Sequence, residues 1–338
     1  MNKSLITLLA VVASLPVAAK TLVYGELHAS FDKLRADAVD NKDSLAINGS
    51  RFGVKGSYDL NKKVSAIYQF EWGVDSRDYG ALPVGSRENA FSNRNQIIGL
   101  AGPHGAVILG RYDTPFKIVG READLFWSSQ LGQNRNITNP AVWDLRADKI
   151  IAYQSPKLHG FQGMIAYAAD IGGPDSRFEN SSAVSLNGFY KLKTIKLGAA
   201  YERHDLDHSN SSRDAFRLLV SYKKRPLKLV GFYQNENNAL AATAQPDATV
   251  YGVGAAYKIG SGTFKGQYYS RLNESTDKDP KLMAIGYDYK IASKTDIYTQ
   301  YVKVTEGQKL GGTGHGASIT STTGGDASGI SFGVRHKF

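Results

Sequence analysis

A two-residue alternation of apolar and polar side chains runs through most of this chain and constrains its fold more than any other feature. In the stretch 63–72, the apolar residues at every second position are Val64, Ala66, Tyr68, Phe70 and Trp72. Because successive side chains of a β-strand point to opposite faces, this period predicts strands with one apolar face and one polar face. No long stretch keeps the spacing of an amphipathic helix. The chain is therefore predicted to be all-β.

The lengths of the predicted strands and of their connections indicate a membrane barrel. Most of the strands have about the 9–11 residues that a tilted strand needs to cross a bilayer. Tight turns, such as the one at Gly260-Ser261, alternate with long polar loops near 33–49, 74–93 and 114–147. Short turns on one rim and long loops on the other are typical of outer-membrane barrels, so we predict a transmembrane antiparallel β-barrel of sixteen strands. The predicted strands are 21–32, 50–60, 62–73, 94–102, 105–113, 148–155, 161–170, 182–191, 194–204, 212–223, 226–235, 247–258, 263–273, 281–290, 294–304 and 328–338.

The first residues have the three parts of a secretory signal peptide. Lys3 supplies the positive charge, Leu5–Leu15 is an apolar core of the usual length, and Val17-Ala18-Ala19 offers small residues for cleavage. We therefore expect residues 1–19 to be a signal peptide and residues 20–338 to form the barrel domain. Export together with a barrel fold predicts a multi-pass protein of the bacterial outer membrane, in contact with outer-membrane lipids.

Composition excludes several classes of protein. The mean hydropathy is −0.31, so the chain is not a helical membrane protein, which would need several apolar runs of about 20 residues. Cysteine is absent, which excludes disulfides, thiolate metal sites and a Cys nucleophile. The seven His residues lack ligand spacing, so no metal or other cofactor is expected. The net charge of +10 is spread singly along the chain, and no nucleic-acid partner is expected.

Three classes of function remain for an exported barrel of this size. The first is a water-filled channel for passive diffusion of small hydrophilic solutes and ions, which we favour. The second is an outer-membrane enzyme, which needs a nucleophile with His and an orienting partner, and no convincing set is present. The third is a substrate-selective channel for phosphate or organic acids. Its only indication is the alternation of Lys265, Gln267, Tyr269 and Arg271 on one strand.

Several stretches resemble the general porins of Gram-negative bacteria, particularly those of the neisserial type. These stretches are Thr21–Gly25, Ser50–Gly56, Leu109–Pro115, Arg146–Gly160 and Phe332–Phe338, in the order of the chain. The resemblance implies a sixteen-stranded barrel, a homotrimer, and a long third loop folded into the pore. It further implies that the barrel-assembly machinery recognises the terminal Phe, which Phe338 matches, and that the loop at 74–93 holds neighbouring subunits together.

The longest predicted loop, 114–147, has a composition that does not suit an exposed loop. Its apolar residues are Phe116, Ile118, Leu125, Phe126, Trp127, Ile137, Val142 and Trp143. Such side chains need a surface against which to be buried, and a sixteen-stranded barrel leaves an aqueous interior whose wall offers one. We therefore predict that this segment is the constriction loop, in agreement with the resemblance.

Charged residues of both signs are expected at the constriction. The acids on or beside the loop are Asp113, Glu122, Asp124 and Asp144, and the bases expected on the facing wall are Arg51, Lys55, Arg94 and Arg146. By resemblance, Arg51 and Arg94 match the basic cluster opposite the constriction loop of general porins, and Arg146 matches an arginine just after that loop. Gln154 stands where enteric porins carry a further wall arginine, which leaves the shape of the cluster open.

The magnitude of these charge effects predicts a preference rather than a gate. Two unit charges about 10 Å apart in a water-like medium interact by roughly 0.4 kcal/mol, and salt screens this further. A few uncompensated bases therefore give on the order of 1–2 kcal/mol, or about tenfold selectivity. With a basic wall and a positive chain, we expect a mild preference for anions, moderated by the acids of the loop.

Overall fold

The computed structural model describes residues 19–74, 91–172, 178–207, 209–238, 245–312 and 314–338. The signal peptide expected at 1–19 therefore lies outside the described residues except for Ala19, and so does most of the predicted loop at 74–93. Among the described residues, no helix is both long and apolar enough to cross a lipid bilayer.

The long strands form one closed antiparallel sheet in which each strand pairs with its neighbours along the chain, and the short segments Leu310–Gly311 and Ser318–Ile319 pair with each other in a separate two-stranded sheet. The strands are β1 (Ala19–Ala36), β2 (two segments, Val39–Ile47 and Arg51–Asp59), β3 (Ser65–Val74), β4 (Phe91–Gly102), β5 (Gly105–Asp113), β6 (Arg146–Gln154), β7 (Phe161–Asp170), β8 (Ser182–Leu192), β9 (Ile195–Leu206), β10 (Ser211–Lys224), β11 (Leu227–Asn237), β12 (Ala248–Ile259), β13 (Gly262–Asn273), β14 (Lys281–Ala292), β15 (Thr295–Val304) and β16 (Ala327–Lys337). The pairing of β1 with β16 closes the barrel. The prediction of a sixteen-stranded antiparallel β-barrel is confirmed.

The hairpin of β1 and β2 corrects the loop predicted at 33–49. β1 continues to Ala36, and the first segment of β2 begins at Val39 and pairs with it. The outward-facing pair Phe31 and Leu45 gives way along this hairpin to Lys33 and Asp43, whose charged groups lie 3.8 Å apart. The hairpin therefore projects beyond the apolar surface of the barrel. The outer face is polar there, while Leu34 on the inner face is 1% exposed and packs in the apolar core, so the apolar-out and polar-in pattern of a membrane strand is lost.

The two faces of the sheet have the polarity expected for a membrane barrel. Large apolar side chains such as Leu27, Ile98 and Phe332 are exposed on the outside. Polar side chains such as Glu26 and Arg217 are buried inside. Apolar residues that face outward and polar residues that face inward alternate along each strand of an outer-membrane barrel, because one side meets lipid and the other meets the lumen.

The connection between β5 and β6, residues 114–145, folds back into the barrel, and we refer to it as the inserted segment. It contains α1 (Pro115–Ala123) and the single turn α2 (Arg135–Thr138). Thr114 caps α1 by accepting a hydrogen bond from the backbone N–H of Lys117, and proline suits the first turn because its missing N–H would have no partner there. The buried apolar residues of the segment include Phe116, Val119, Phe126, Leu131, Ile137 and Trp143.

Candidate pore lining

An ion pair between a wall arginine and an aspartate fixes the inserted segment in place. Nη1 of Arg217, on β10, lies 2.6 Å from Oδ1 of Asp144, and the guanidinium stacks 4.0 Å from the ring centroid of Phe116. Ser185 of β8 also accepts a hydrogen bond from the backbone N–H of Phe116. These partners lie on inward faces of the barrel wall, so the segment occupies part of the interior.

The alternating residues of β13 support the inserted segment as well. The ammonium of Lys265 lies 2.7 Å from the Gln130 side-chain oxygen, and the Gln267 amide donates to Asp124 over 3.0 Å. The hydroxyl of Tyr269 donates to the carbonyl of Ala123 over 3.3 Å. The fourth residue of this row, Arg271, forms a buried ion pair with Glu236 on β11, 2.8 Å away. All four side chains are buried, so this row is part of the wall that supports the segment and not a track open to solutes.

Each of the predicted acids forms an ion pair or hydrogen bonds with neighbouring residues. Asp113 lies 2.8 Å from Lys117 and 3.0 Å from Arg146, and Asp144 pairs with Arg217 as described. Glu122 is 40% exposed and lies 2.7 Å from Lys196 of β9. The predicted acids other than Glu122 are buried and contribute little free negative charge to the open part of the lumen.

Burial gives Asp124 a chemistry different from that of an exposed carboxyl. It is buried, and it accepts hydrogen bonds from the backbone N–H groups of Phe126 (2.9 Å) and Asn134 (3.0 Å) and from Gln267. Burial raises its pKa from 3.8 to about 6, because the low dielectric disfavours the charged form by more than these donors stabilise it.

The predicted bases Arg51 and Arg94 meet at one wall acid. Arg94 Nε lies 2.5 Å from Glu71, and Arg51 lies 3.8 Å from Glu71 and 3.3 Å from Glu26. Side chains on three adjacent strands, β2, β3 and β4, are thereby joined, and both arginines stay about a quarter exposed. The positive charge of the wall cluster is therefore partly compensated by Glu26 and Glu71, two acids that were not predicted to lie there.

The other two predicted bases lie apart from that cluster. Arg146 pairs with Asp113 at the base of the inserted segment and donates to the Asn95 side-chain oxygen over 2.7 Å. Lys55 is exposed on β2, with its ammonium 4.8 Å from the centroid of the Tyr24 ring.

Three further arginines belong to the same region, although they were not predicted from the sequence as site residues. Arg121, at the end of α1, is 37% exposed and 3.5 Å from Asp113. Arg135, on α2, is less exposed and pairs with Asp144 over 3.1 Å. Arg111 on β5 pairs with Asp148. The capping signal at Thr114 followed by proline could have revealed α1 and thereby the position of Arg121.

The two ends of the barrel differ in charge. Within two residues of the short connections, the bases are Lys62, Lys63, Lys157, Lys191, Lys193, Lys196, Lys223, Lys224, Arg225, Lys228, Lys258 and Lys294, and the acids are Asp59 and Asp296. In the described parts of the long connections other than the inserted segment, the acids are Asp37, Glu179, Asp207, Asp247, Glu274, Asp277, Asp279, Glu306 and Asp326, and the bases are Lys278 and Lys309. The short connections therefore form a basic rim and the long ones an acidic rim.

No group of three or more His, Cys, Asp or Glu suited to a metal ion occurs among the described residues. A closed barrel with a lipid-facing exterior, a charged interior and a segment folded back inside it defines an outer-membrane channel. The family model for the Gram-negative porin matches residues 6–309. The chain belongs to the Gram-negative porin family, and it is a channel of the outer membrane through which small solutes diffuse passively.

Individual relatives agree with this family over the whole chain. Outer membrane porin protein 32 of Delftia acidovorans is 26% identical over 360 residues, covering 100% of both chains. Major outer membrane protein P.IB of Neisseria gonorrhoeae is 28% identical over 384 residues, again covering 100% of both. Among solved structures, the anion-selective porin from Comamonas acidovorans has a TM-score of 0.78 at 22% identity, covering 95% of this chain and 100% of that one.

Proposed function

We propose that this channel prefers anions and that the inserted segment forms its constriction. The observation that supports this most directly is the unequal exposure of the two signs of charge. Asp113, Asp124, Asp144, Glu26 and Glu71 are buried, whereas Arg51, Arg94, Lys55 and Arg121 stay partly or fully exposed. The exposed acid of the segment, Glu122, is paired with Lys196. Exposed base in excess of exposed acid makes the local potential positive, which attracts anions and repels cations.

The residues of this constriction come from the wall and from the segment. Arg51, Arg94 and Arg146 form its basic wall, and Lys55 adds an exposed positive charge on the same strand as Arg51. Glu26 and Glu71 offset part of that charge, so the preference is mild. A solved relative at 22% identity carries the description anion-selective, which agrees with this proposal.

The protein is further proposed to be exported by a cleaved signal peptide, to assemble through Phe338 and to function as a homotrimer that catalyses no reaction. One structural relative, OmpT of Vibrio cholerae, is described in a trimer form, with a TM-score of 0.71 at 17% identity. The C-terminal residue itself takes part in closing the barrel: Phe338 donates its backbone N–H to Gly25 over 3.1 Å and accepts from Gly25 over 3.3 Å.

The reversal potential in a potassium chloride gradient tests the anion preference. With purified protein in a planar bilayer, the sign of the potential at zero current shows which ion crosses more readily. We expect chloride to dominate by less than about tenfold and the ratio to approach that of free solution as salt rises, because screening shortens the reach of the wall charges. A potassium preference at low salt would contradict the proposal.

A further inference from the structure

A shallow cavity of about 340 Å³, wide open to the lumen, lies against the inner wall between β1 and β4, towards the basic rim. Its side chains are Lys20, Leu22, Lys55, Ser57, Ile67 and Ile97, with Gln69 beside them. Its size falls at the lower end of the range typical of small-molecule sites, which are mostly apolar with a few placed polar groups.

The register of the sheet places these side chains on one face. Leu22 of β1 pairs with Lys55 of β2, which pairs in turn with Gln69 of β3. Gln69 then pairs with Ile97 of β4. Directly opposite residues of an antiparallel pair point to the same side of the sheet. Because Glu26, two steps of alternation beyond Leu22, is buried inside the barrel, this side is the lumen.

The two lysines of the cavity differ from the arginines further along the same wall. Arg51 and Arg94 are paired with Glu26 and Glu71. Neither Lys20 nor Lys55 forms an ion pair with any residue in the described part of the chain, and both are exposed to the lumen. Two ammonium groups beside one cavity, without a carboxylate to neutralise them, make the local potential positive and attract anions.

The rest of the cavity is unusually apolar for a water-filled channel. Leu22 faces the lumen and is 54% exposed. Ile67 and Ile97 lie beside it, and Ile97 packs in one apolar cluster with Ile108 of β5 and with residues of β6 and β7. An exposed apolar side chain inside a pore favours a solute that has an apolar part of its own.

We propose that this cavity is a weak transit site for small organic monoanions that carry an apolar group, such as an aromatic carboxylate. The carboxylate would lie between the ammonium groups of Lys20 and Lys55, and the apolar group would cover Leu22, Ile67 and Ile97. This deepens the proposed anion preference and depends on it. Binding in a channel must be weak for the solute to leave, and the open, water-exposed position of both lysines satisfies that condition.

Block of chloride current by benzoate tests the site. We would compare benzoate with acetate, which has the charge without the ring, and with benzyl alcohol, which has the ring without the charge, at constant ionic strength. The variants are Lys55→Gln and Leu22→Ser, with Lys63→Gln as a matched control. Lys63 lies in the turn after β2 and does not line the cavity, so its loss makes the same charge change at the same rim.

In the wild type, benzoate should halve the chloride conductance at a concentration about tenfold below that needed for acetate or benzyl alcohol. Lys55→Gln should raise the half-blocking concentration of benzoate about fivefold. Leu22→Ser should also raise the half-blocking concentration of benzoate about fivefold, but it should leave the half-blocking concentration of acetate unchanged. Lys63→Gln should behave as the wild type. Heat-modifiable mobility of each variant in gels shows that the barrels have assembled, and each half-blocking concentration is measured relative to the chloride conductance of the same variant without benzoate.

Equal half-blocking concentrations for benzoate and acetate in the wild type would overturn the site, and so would a Lys55→Gln effect no larger than that of Lys63→Gln. The same membranes give the reversal potential in potassium chloride alone. Chloride preference without selective benzoate block overturns this site and leaves the anion preference standing, whereas potassium preference overturns the proposed function itself.

Discussion

Arg217 of the barrel wall and Asp144 of the inserted segment form an ion pair of 2.6 Å in which both side chains are almost completely buried. The pair joins residues 73 positions apart in the chain. A buried charge that loses its partner is strongly unfavourable, so the pair resists any movement of the segment away from the wall. The position of the inserted segment inside the barrel thus depends on a contact outside the open lumen.

Replacing Arg217 by Met should loosen the inserted segment. Met keeps much of the length and apolar volume of the side chain. It removes one of the two cationic partners of Asp144 and leaves Arg135. We expect this loss to lower the free energy of unfolding by about 3–5 kcal/mol. We expect a lower melting temperature in detergent and a larger, noisier single-channel conductance. Arg203→Met is the control, because Arg203 is exposed and its pair with Asp205 contributes little. Unchanged conductance and melting in Arg217→Met would show that other contacts suffice to hold the segment.

Charge changes at the Glu71 cluster should move selectivity in opposite directions. Replacing Arg51 and Arg94 together by Gln leaves Glu71 without these two partners and Glu26 with Lys337 alone, 3.8 Å away, which should shift the permeability ratio towards cations. Glu71→Gln should shift it towards anions. Each shift should be on the order of 1 kcal/mol at low salt and smaller at high salt. Reversal potentials at two ionic strengths measure both, and shifts of the same sign would contradict the arrangement of the cluster.

The stability of the barrel should depend on pH through Asp124. Its pKa is raised to about 6 in the folded protein from an ordinary 3.8, so the folded state binds more protons than the unfolded state between these values. Stability therefore falls as pH rises from about 4 through 6, by about 3 kcal/mol for a shift of two pKa units. Asp124→Asn removes this titration. Denaturant unfolding of both proteins at pH 4 and pH 7 checks it, and a constant difference between them would refute the assignment.

Deleting Phe338 should reduce the amount of assembled barrel in the outer membrane while synthesis and export continue. The ring lies so close to Gly25 that a Cβ there would be 2.3 Å from the ring, so the last residue packs where β1 and β16 close the barrel. Phe338→Tyr keeps the ring and should assemble normally. Membrane fractionation and heat-modifiable mobility in gels measure assembly. Normal yield of the deleted protein would contradict this prediction.

The purified protein should be a trimer that dissociates only on heating. The prediction is based on the resemblance to general porins and on the loop at 74–93, which occupies the position that joins subunits in that family. Native mass measurement in a mild detergent gives the stoichiometry directly. A monomer under those conditions would contradict the prediction, and removal of residues 79–86 should lower the dissociation temperature if that loop contributes.

The barrel could be predicted because its determinants are local. The alternation in β3 and the turn at Gly260-Ser261 each depend on a few neighbouring residues, and lipid on one side enforces the pattern along the whole strand. The hairpin from Lys33 to Asp43 was missed because it extends beyond the lipid, where nothing enforces an apolar face.

The pairing of charges inside the barrel could not be predicted in the same way. Arg51 and Arg217 each lie on the polar face of a strand, and that pattern is the same for a side chain that faces water and one that is covered by the inserted segment. Arg217 is buried because α1 of the segment packs against β8–β11, whereas Arg51 lies beside Glu26 and Glu71 and stays 23% exposed. Partners such as Glu26 and Arg51 depend on strand register, which a single sequence does not specify.

The basic rim of short turns and the acidic rim of long loops make the channel electrically polar along its axis. The screening length is about 10 Å at 0.1 M and grows in more dilute salt, so the charges of each rim then act on the ions that enter the mouth beside them. An applied field in one direction then draws mobile ions of both signs into the channel, and a field in the opposite direction lowers the concentration of ions inside the channel. A passive channel of this kind conducts as a weak diode: its current–voltage curve is asymmetric in dilute salt and becomes straight in concentrated salt. This rectification requires no conformational change.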